Sequence, residues 1–195
     1  MALSVDELRS TVAGMRKAGL STVQISDEMS LSQDTVGWLL SSSTEGTSDR
    51  PTDMRIGWRT IGVRPTRIAA IGHIFADVAI EECGDGIDTV VGISLNGILF
   101  AQEIAAQLNC EVSIYRSLNQ EEKKGALSNK YGNVNGKTVM VVDDVLSTGH
   151  TMTQCIEHLK ENGANLVLCA VLLNKTTLNE IEDVPLRGLI RAVMV

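Results

Sequence analysis

The sequence predicts an α/β protein: a central parallel sheet flanked by helices, preceded by three short helices. Three observations predict it. Apolar, β-branched runs at 88–94, 111–115, 138–142 and 166–173 alternate with segments of helical period. That alternation suits strands buried on both faces of a parallel sheet. Residues 1–40 carry helical periodicity. Between the two regions lies 41–52, Ser-Ser-Ser-Thr-Glu-Gly-Thr-Ser-Asp-Arg-Pro-Thr, a polar, turn-rich stretch. The expected organisation is a three-helix unit over 1–42, a linker over 43–54 and a sheet domain over 55–195.

In chain order, Val5, Leu8, Val12 and Met15 recur at helical spacing over 5–18, and Gly19 follows as a C-cap. Ser21-Thr22-Val23-Gln24 is a capping box, which predicts a helix to Met29. Ser30-Leu31 turns the chain. Ser32 then caps a third helix over 33–40, with Val36, Leu39 and Leu40 inward. A tight turn between second and third helices is a helix-turn-helix pattern, and residues 25–36 resemble the core of many bacterial and archaeal DNA-binding domains. The resemblance implies that the third helix enters the major groove of operator DNA. Ser32, Gln33, Thr35 and Trp38 would then lie nearest the duplex, with Gln33 and Thr35 on bases and Ser32 on a phosphate.

Charge complicates this. Arg9, Arg16 and Lys17 face Asp6, Glu7, Asp27, Glu28 and Asp34 over 1–40, a poor balance for a polyanion. A trihelical dimerisation or capping module is the competing reading. Over 49–67 the balance reverses, with Arg50, Arg55, Arg59, Arg64 and Arg67 against Asp49 and Asp53. Those arginines suit phosphate contacts, a solvated face or a dimer surface equally well.

Helical period resumes over 67–83, with Ile68, Ile71, Ile74, Phe75 and Val78 on one side. The strand at 88–94 leads through Leu95-Asn96-Gly97 into a helix over 98–108. Next come the strand at 111–115 and a long polar loop over 116–135, a length that in a compact domain marks function or disorder. The strand at 138–142 precedes a helix over 152–162, and 189–195 is expected to close the sheet or a hood over it.

The chemistry concentrates at 138–151. An apolar strand ends in Asp143 and Asp144; Ser147, Thr148, Gly149, His150 and Thr151 then lead into a helix. The first N–H groups of a helix lack internal partners and carry partial positive charge, so such a turn receives phosphate. Hydroxyls at 147, 148 and 151 add donors, and Gly149 permits close backbone approach. The acids accept hydrogen bonds from sugar hydroxyls, so the ligand implied is a phosphorylated sugar. A buried strand ending in an ordinary cap turn would not require paired acids.

Val141-Val142-Asp143-Asp144-Val145-Leu146-Ser147-Thr148-Gly149-His150-Thr151 resembles the phosphoribosyl-pyrophosphate (PRPP) motif of type I phosphoribosyltransferases. The resemblance spans roughly 55–195 and implies that family's sheet-and-hood fold. It implies that Asp143 and Asp144 hold the ribose hydroxyls and that Ser147, Thr148, Gly149, His150 and Thr151 hold the 5′-phosphate. Ser94, Leu95, Asn96 and Gly97 would take the pyrophosphate with Mg²⁺, which travels with the ligand near Asp143 and Asp144. Arg116 joins the ligand set. Lys123 and Lys124 are the candidates for a catalytic lysine, although their spacing departs from that of orotate phosphoribosyltransferases and no histidine lies in the loop.

Two functions compete: a phosphoribosyltransferase of orotate or purine type, or a regulator in which the same fold senses a phosphoribosyl ligand. The helix-turn-helix and the altered loop favour the regulator, and the arrangement resembles archaeal transferase-like regulators. A homodimer is expected, to match a palindromic operator. The net charge of −7 argues against wholesale nucleic-acid coating. Cys83, Cys110, Cys155 and Cys169 show no metal spacing and sit in apolar segments, as buried free thiols of a reducing cytosol would. No apolar run reaches about 18 residues, so a cytoplasmic protein is expected.

Overall fold

A computed structural model of the chain describes residues 4–41, 51–117 and 125–193. They form two compact units, Met1–Gly57 and Trp58–Val195. Of the expected linker, residues 43–50 lie outside the described residues, and 51–58 follow no regular structure.

The first unit holds α1 (Val5–Lys17), α2 (Thr22–Met29) and α3 (Gln33–Leu40). Reciprocal capping boxes start α1 (Ser4 with Glu7) and α2 (Ser21 with Gln24), each satisfying two orphan N–H groups. Ser30 ends α2 in the left-handed region, at φ 51°. Val12, Ile25, Met29, Leu31, Val36 and Leu39 form the core of this unit.

The second unit opens with α4 (Arg59–Gly62) and α5 (Pro65–Cys83). Pro65 occupies the first helical turn, where its missing N–H costs nothing, so α5 begins two residues before the periodicity does. There follow β1 (Thr89–Ile93), α6 (Gly97–Leu108), β2 (Glu111–Arg116), β3 (Ala126–Leu127), β4 (Thr138–Leu146), α7 (His150–Glu161), β5 (Asn165–Asn174), β6 (Glu180–Ile181) and β7 (Val184–Arg191).

The sheet runs β3-β2-β1-β4-β5-β7-β6. Its five central strands are mutually parallel, and the two-residue strands β3 and β6 are antiparallel additions at the edges. Three elements differ from expectation. The loop over 116–135 contains β3, and its residues 118–124 lie outside the described residues. The strand expected over 138–142 continues to Leu146, carrying both aspartates within it. The last strand is Val184–Arg191, not 189–195. Pro185 and Gly188 disguise it as a turn. Gly188 is needed there because a Cβ would lie 2.8 Å from the Asn174 Cβ.

Side-chain alternation along β4 builds two layers. Val139 and Val141 pack with Met152, Cys155, Ile156 and Leu159 of α7. Met140 and Val142 pack with Phe75 of α5 and Phe100 and Ile104 of α6 on the opposite face. Each such buried aliphatic contributes about 1.5–3 kcal/mol. All four cysteines are free. Cys155 and Cys169 are buried, while Cys83 and Cys110 are half-exposed and so depart from the expectation of burial. Burial pushes the Cys169 thiol up to about 12. Among the described residues, no helix is long and apolar enough to cross a membrane.

Gly92 lets α6 approach the sheet. A Cβ there would lie 2.8 Å from both Gly97 O and Ile98 Cα. Gly92→Ala is expected to lower unfolding free energy by about 1–3 kcal/mol, measured by urea denaturation. Gly14→Ala in α1, with nothing within 4 Å of the added carbon, is expected to gain about 0.5–1 kcal/mol.

Candidate functional site

Strand order places the site. The chain leaves β1 toward β2 on one side and leaves β4 toward β5 on the other, so the direction reverses between the neighbours β1 and β4. Ligands of open parallel sheets bind at such a reversal, outside the carboxyl ends of the strands. The turn 94–96 and the loop 147–149 both emerge there. Register confirms their proximity, since Gly92 pairs with Val142. Gly97 closes the gap: a Cβ would sit 2.5 Å from Val142 O and 3.1 Å from Asp143 Cα.

Ser94, Leu95, Asn96 and Gly97 thus meet Asp143, Asp144, Ser147, Thr148, Gly149, His150 and Thr151 at one rim. The Ser94–Leu95 peptide is cis, and Leu95 is exposed. Arg116 ends β2 at the same end of the sheet and is exposed, while Lys123 and Lys124 lie outside the described residues.

The two aspartates have different surroundings, because they lie in a strand and not after it. In phase with Met140 and Val142, Asp144 belongs to the α5–α6 face. It is 7% exposed. Its Oδ2 accepts from Asn96 Nδ2 at 3.0 Å and from Trp58 Nε1 at 2.9 Å. Asp143 is in phase with Val141 on the α7 face, where burial first, then Cys169 and then the Asp143 charge raise the Cys155 thiol. Its Oδ1 accepts the Asp144 N–H at 2.8 Å. The two carboxyl groups nevertheless stay within hydrogen-bonding reach of one another.

Gly149 adopts φ 86°, a conformation other residues rarely take, and serves as N-cap of α7 without a side-chain cap. Thr148 Oγ1 accepts the His150 N–H at 3.4 Å. The His150 ring meets Gln154 at 3.0 Å, and both Thr148 and His150 are exposed. Beside the loop, Leu178 Cδ1 and Ile181 Cδ1 approach the Gly149 Cβ position to 3.9 and 3.8 Å.

Sequence reasoning missed Trp58. It stands 86 residues from Asp144, so no local pattern joins them; its place directly after the polar linker was the available signal. Its ring packs against Phe100, centroids 5.8 Å apart.

The residues expected at DNA are placed differently. Ser32 and Thr35 are each 8% exposed. Ser32 Oγ accepts the Thr35 N–H at 3.2 Å and lies 2.8 Å from Thr35 Oγ1. Those hydroxyls cap the start of α3, accepting its N–H while keeping their own O–H groups as donors. Gln33 and Trp38 are half-buried, and Arg9 lies over the Trp38 ring at 4.7 Å. Gln33 Oε1 is buried without a hydrogen-bond partner among the described residues.

Burial raises the Asp144 carboxyl above its ordinary value, against hydrogen bonds from Asp143, Val145, Trp58 and Asn96 that lower it. The folded chain therefore keeps this proton at pH values where the unfolded chain has lost it. The resulting stability is complete below the ordinary aspartate range and is lost as pH rises through the folded value. Asp144→Asn removes the titration. In urea unfolding between about pH 4 and 7, the wild type is expected to lose stability relative to the variant as pH rises. A constant difference would contradict the burial argument.

Residues 57–186 match the family described as "Phosphoribosyl transferase domain". The chain is similar to "Transcriptional regulator GfcR" of Picrophilus torridus, 39% identical over 98% of this chain and 99% of that protein. It is likewise similar to that of Methanosphaera stadtmanae, 37% identical over 91% and 92%. Among solved structures, the adenine phosphoribosyl transferase of Trypanosoma brucei superposes with a TM-score of 0.58 at 22% identity, over 72% of this chain and 71% of that one. The orotate phosphoribosyltransferase of Mycobacterium tuberculosis gives 0.56 at 18%, over 70% and 80%. With the β1–β4 crevice, the glycine-opened loops and these matches in place, the chain belongs to the phosphoribosyl transferase domain family, alongside the GfcR transcriptional regulators.

Proposed function

We propose that this chain is a DNA-binding transcriptional regulator whose phosphoribosyl transferase domain takes PRPP, or a related phosphorylated ribose, as effector. The observation that carries the reading is the β1–β4 crevice joined to an N-terminal three-helix unit. Relatives named as transcriptional regulators align along almost the whole of both chains, helices included. The M. tuberculosis neighbour is described in complex with PRPP, and the T. brucei neighbour with AMP, pyrophosphate and ribose-5-phosphate.

In this reading the 147–151 loop takes the 5′-phosphate on backbone amides and hydroxyls. The 94–97 turn takes the pyrophosphate, with Arg116 as a further cation. Asp143 and Asp144 accept from the ribose hydroxyls. Among the described residues, no group of three metal-ligating side chains exists. Mg²⁺ would arrive on the ligand's phosphate oxygens with its own waters, sharing at most the Asp143–Asp144 carboxylates. When bound it would neutralise pyrophosphate charge.

For DNA, the candidate positions on α3 are Ser32, Gln33, Thr35 and Trp38. The exposed Arg55 and Arg59 supply phosphate contacts that the acidic helices lack. A homodimer would present two such units to a palindromic operator. The competing activity, transfer of ribose 5-phosphate from PRPP to an orotate- or purine-type base, would use the same crevice. Release of pyrophosphate at enzymatic rates with Mg²⁺ and a panel of bases would establish it.

Replacing Asp143 and Asp144 together with Asn is expected to weaken PRPP binding in calorimetry by about a hundredfold or more. Unchanged affinity removes the ligand assignment. Replacing Arg55 and Arg59 with Ala is expected to reduce the salt slope of binding to the gene's own upstream DNA by about 0.9 per arginine, without changing PRPP affinity.

A further inference from the structure

Asp144 is tied to the first residue of its own unit. The Trp58 indole N–H donates to Asp144 Oδ2, and its ring is held by Phe100 and by Gly62, where a Cβ would lie 2.9 Å from the ring. Asn96 donates to the same oxygen. A carboxylate oxygen offers about two lone-pair sites, so a third donor must displace one of these two. Asn96 lies in the ligand turn itself; Trp58 lies at the end of the connecting segment.

The other end of that segment is also anchored. Asp53 Oδ2 accepts the N–H of Ser32, the residue that caps α3, at 2.7 Å. Asp53 Oδ1 accepts the N–H of Met54 at 2.7 Å. Only Met54, Arg55, Ile56 and Gly57 separate the anchors, and they follow no regular structure.

We propose that residues 53–58 are a tether coupling the ribose acid to the start of α3. A sugar hydroxyl taking Asp144 Oδ2 displaces the Trp58 N–H, and the freed Trp58 releases the segment whose far end holds the Ser32 N–H. This rests on the reading of Asp144 as a ligand residue. The coupling is reciprocal: whatever factor the ligand imposes on DNA affinity, DNA imposes on ligand affinity.

The test uses the full chain, PRPP with Mg²⁺ as probe, calorimetry, and gel shifts on the gene's upstream DNA. Trp58→Phe keeps most of the ring and deletes the donor. It is expected to bind PRPP up to about tenfold tighter, and the effect of PRPP on DNA affinity is expected to fall to about twofold or less. Asp53→Asn is expected to bind PRPP normally but to lose the same effect. As a readout independent of folding defects in those variants, Trp38→Phe leaves Trp58 as the one remaining indole, and PRPP is expected to shift its emission. Wild-type PRPP affinity and an undiminished DNA response in Trp58→Phe would overturn the tether. So would an unshifted emission, or a wild type that binds PRPP without any change in DNA affinity. These outcomes leave the ligand site standing. A wild type that does not bind PRPP removes the ligand site and the tether together.

Discussion

The parallel pairing of β1 with β4 is the constraint on which the rest depends. It puts the carboxyl ends of two strands side by side with their connections departing in opposite directions. Everything at the rim follows from how closely the backbone can approach there. Gly92 and Gly97 remove the side chains that would hold α6 off the sheet, and the contacts their missing Cβ atoms would make are all to backbone or to Ala101 and Asp143. Backbone cannot give way as a flexible side chain can. The geometry of the crevice is therefore set by main-chain packing, with the polar side chains added to a frame already fixed.

Much of this was legible from short-range pattern. Buried parallel strands announce themselves as β-branched runs, and the acid–hydroxyl–glycine order of 143–151 is local, so both the sheet and the site loop could be read. The misreadings share a cause. Asp143 and Asp144 look like a strand terminus because carboxylates are depleted in strands. Pro185 and Gly188 look like a turn because both residues are common in turns, yet Gly188 pairs with Val171 of β5 and Pro185 with Glu180 of β6. In each case a tertiary contact overrode composition. The pairing of Trp58 with Asp144 left no local pattern, because the two are distant in the chain.

The contrast between the two aspartates illustrates what adjacency in a strand means. Neighbouring residues face opposite layers, so two identical side chains acquire unlike environments. Asp144 is buried against Trp58 and Asn96, and the less buried Asp143 hydrogen-bonds to it and reaches toward Gly97 at the start of α6. One is a fixed acceptor and the other a more open one, a division of labour that no pairwise motif description contains.

Leu178 and Ile181 flank the Gly149 bend with hydrocarbon. Asn174, fully buried, holds that flank by donating to Leu178 O and accepting from Thr176. Leu178 itself stays exposed and Ile181 is buried, so hydrocarbon replaces water on only part of that flank. An anion at the bend would meet the amides' field less screened from the Ile181 side than from an open surface loop.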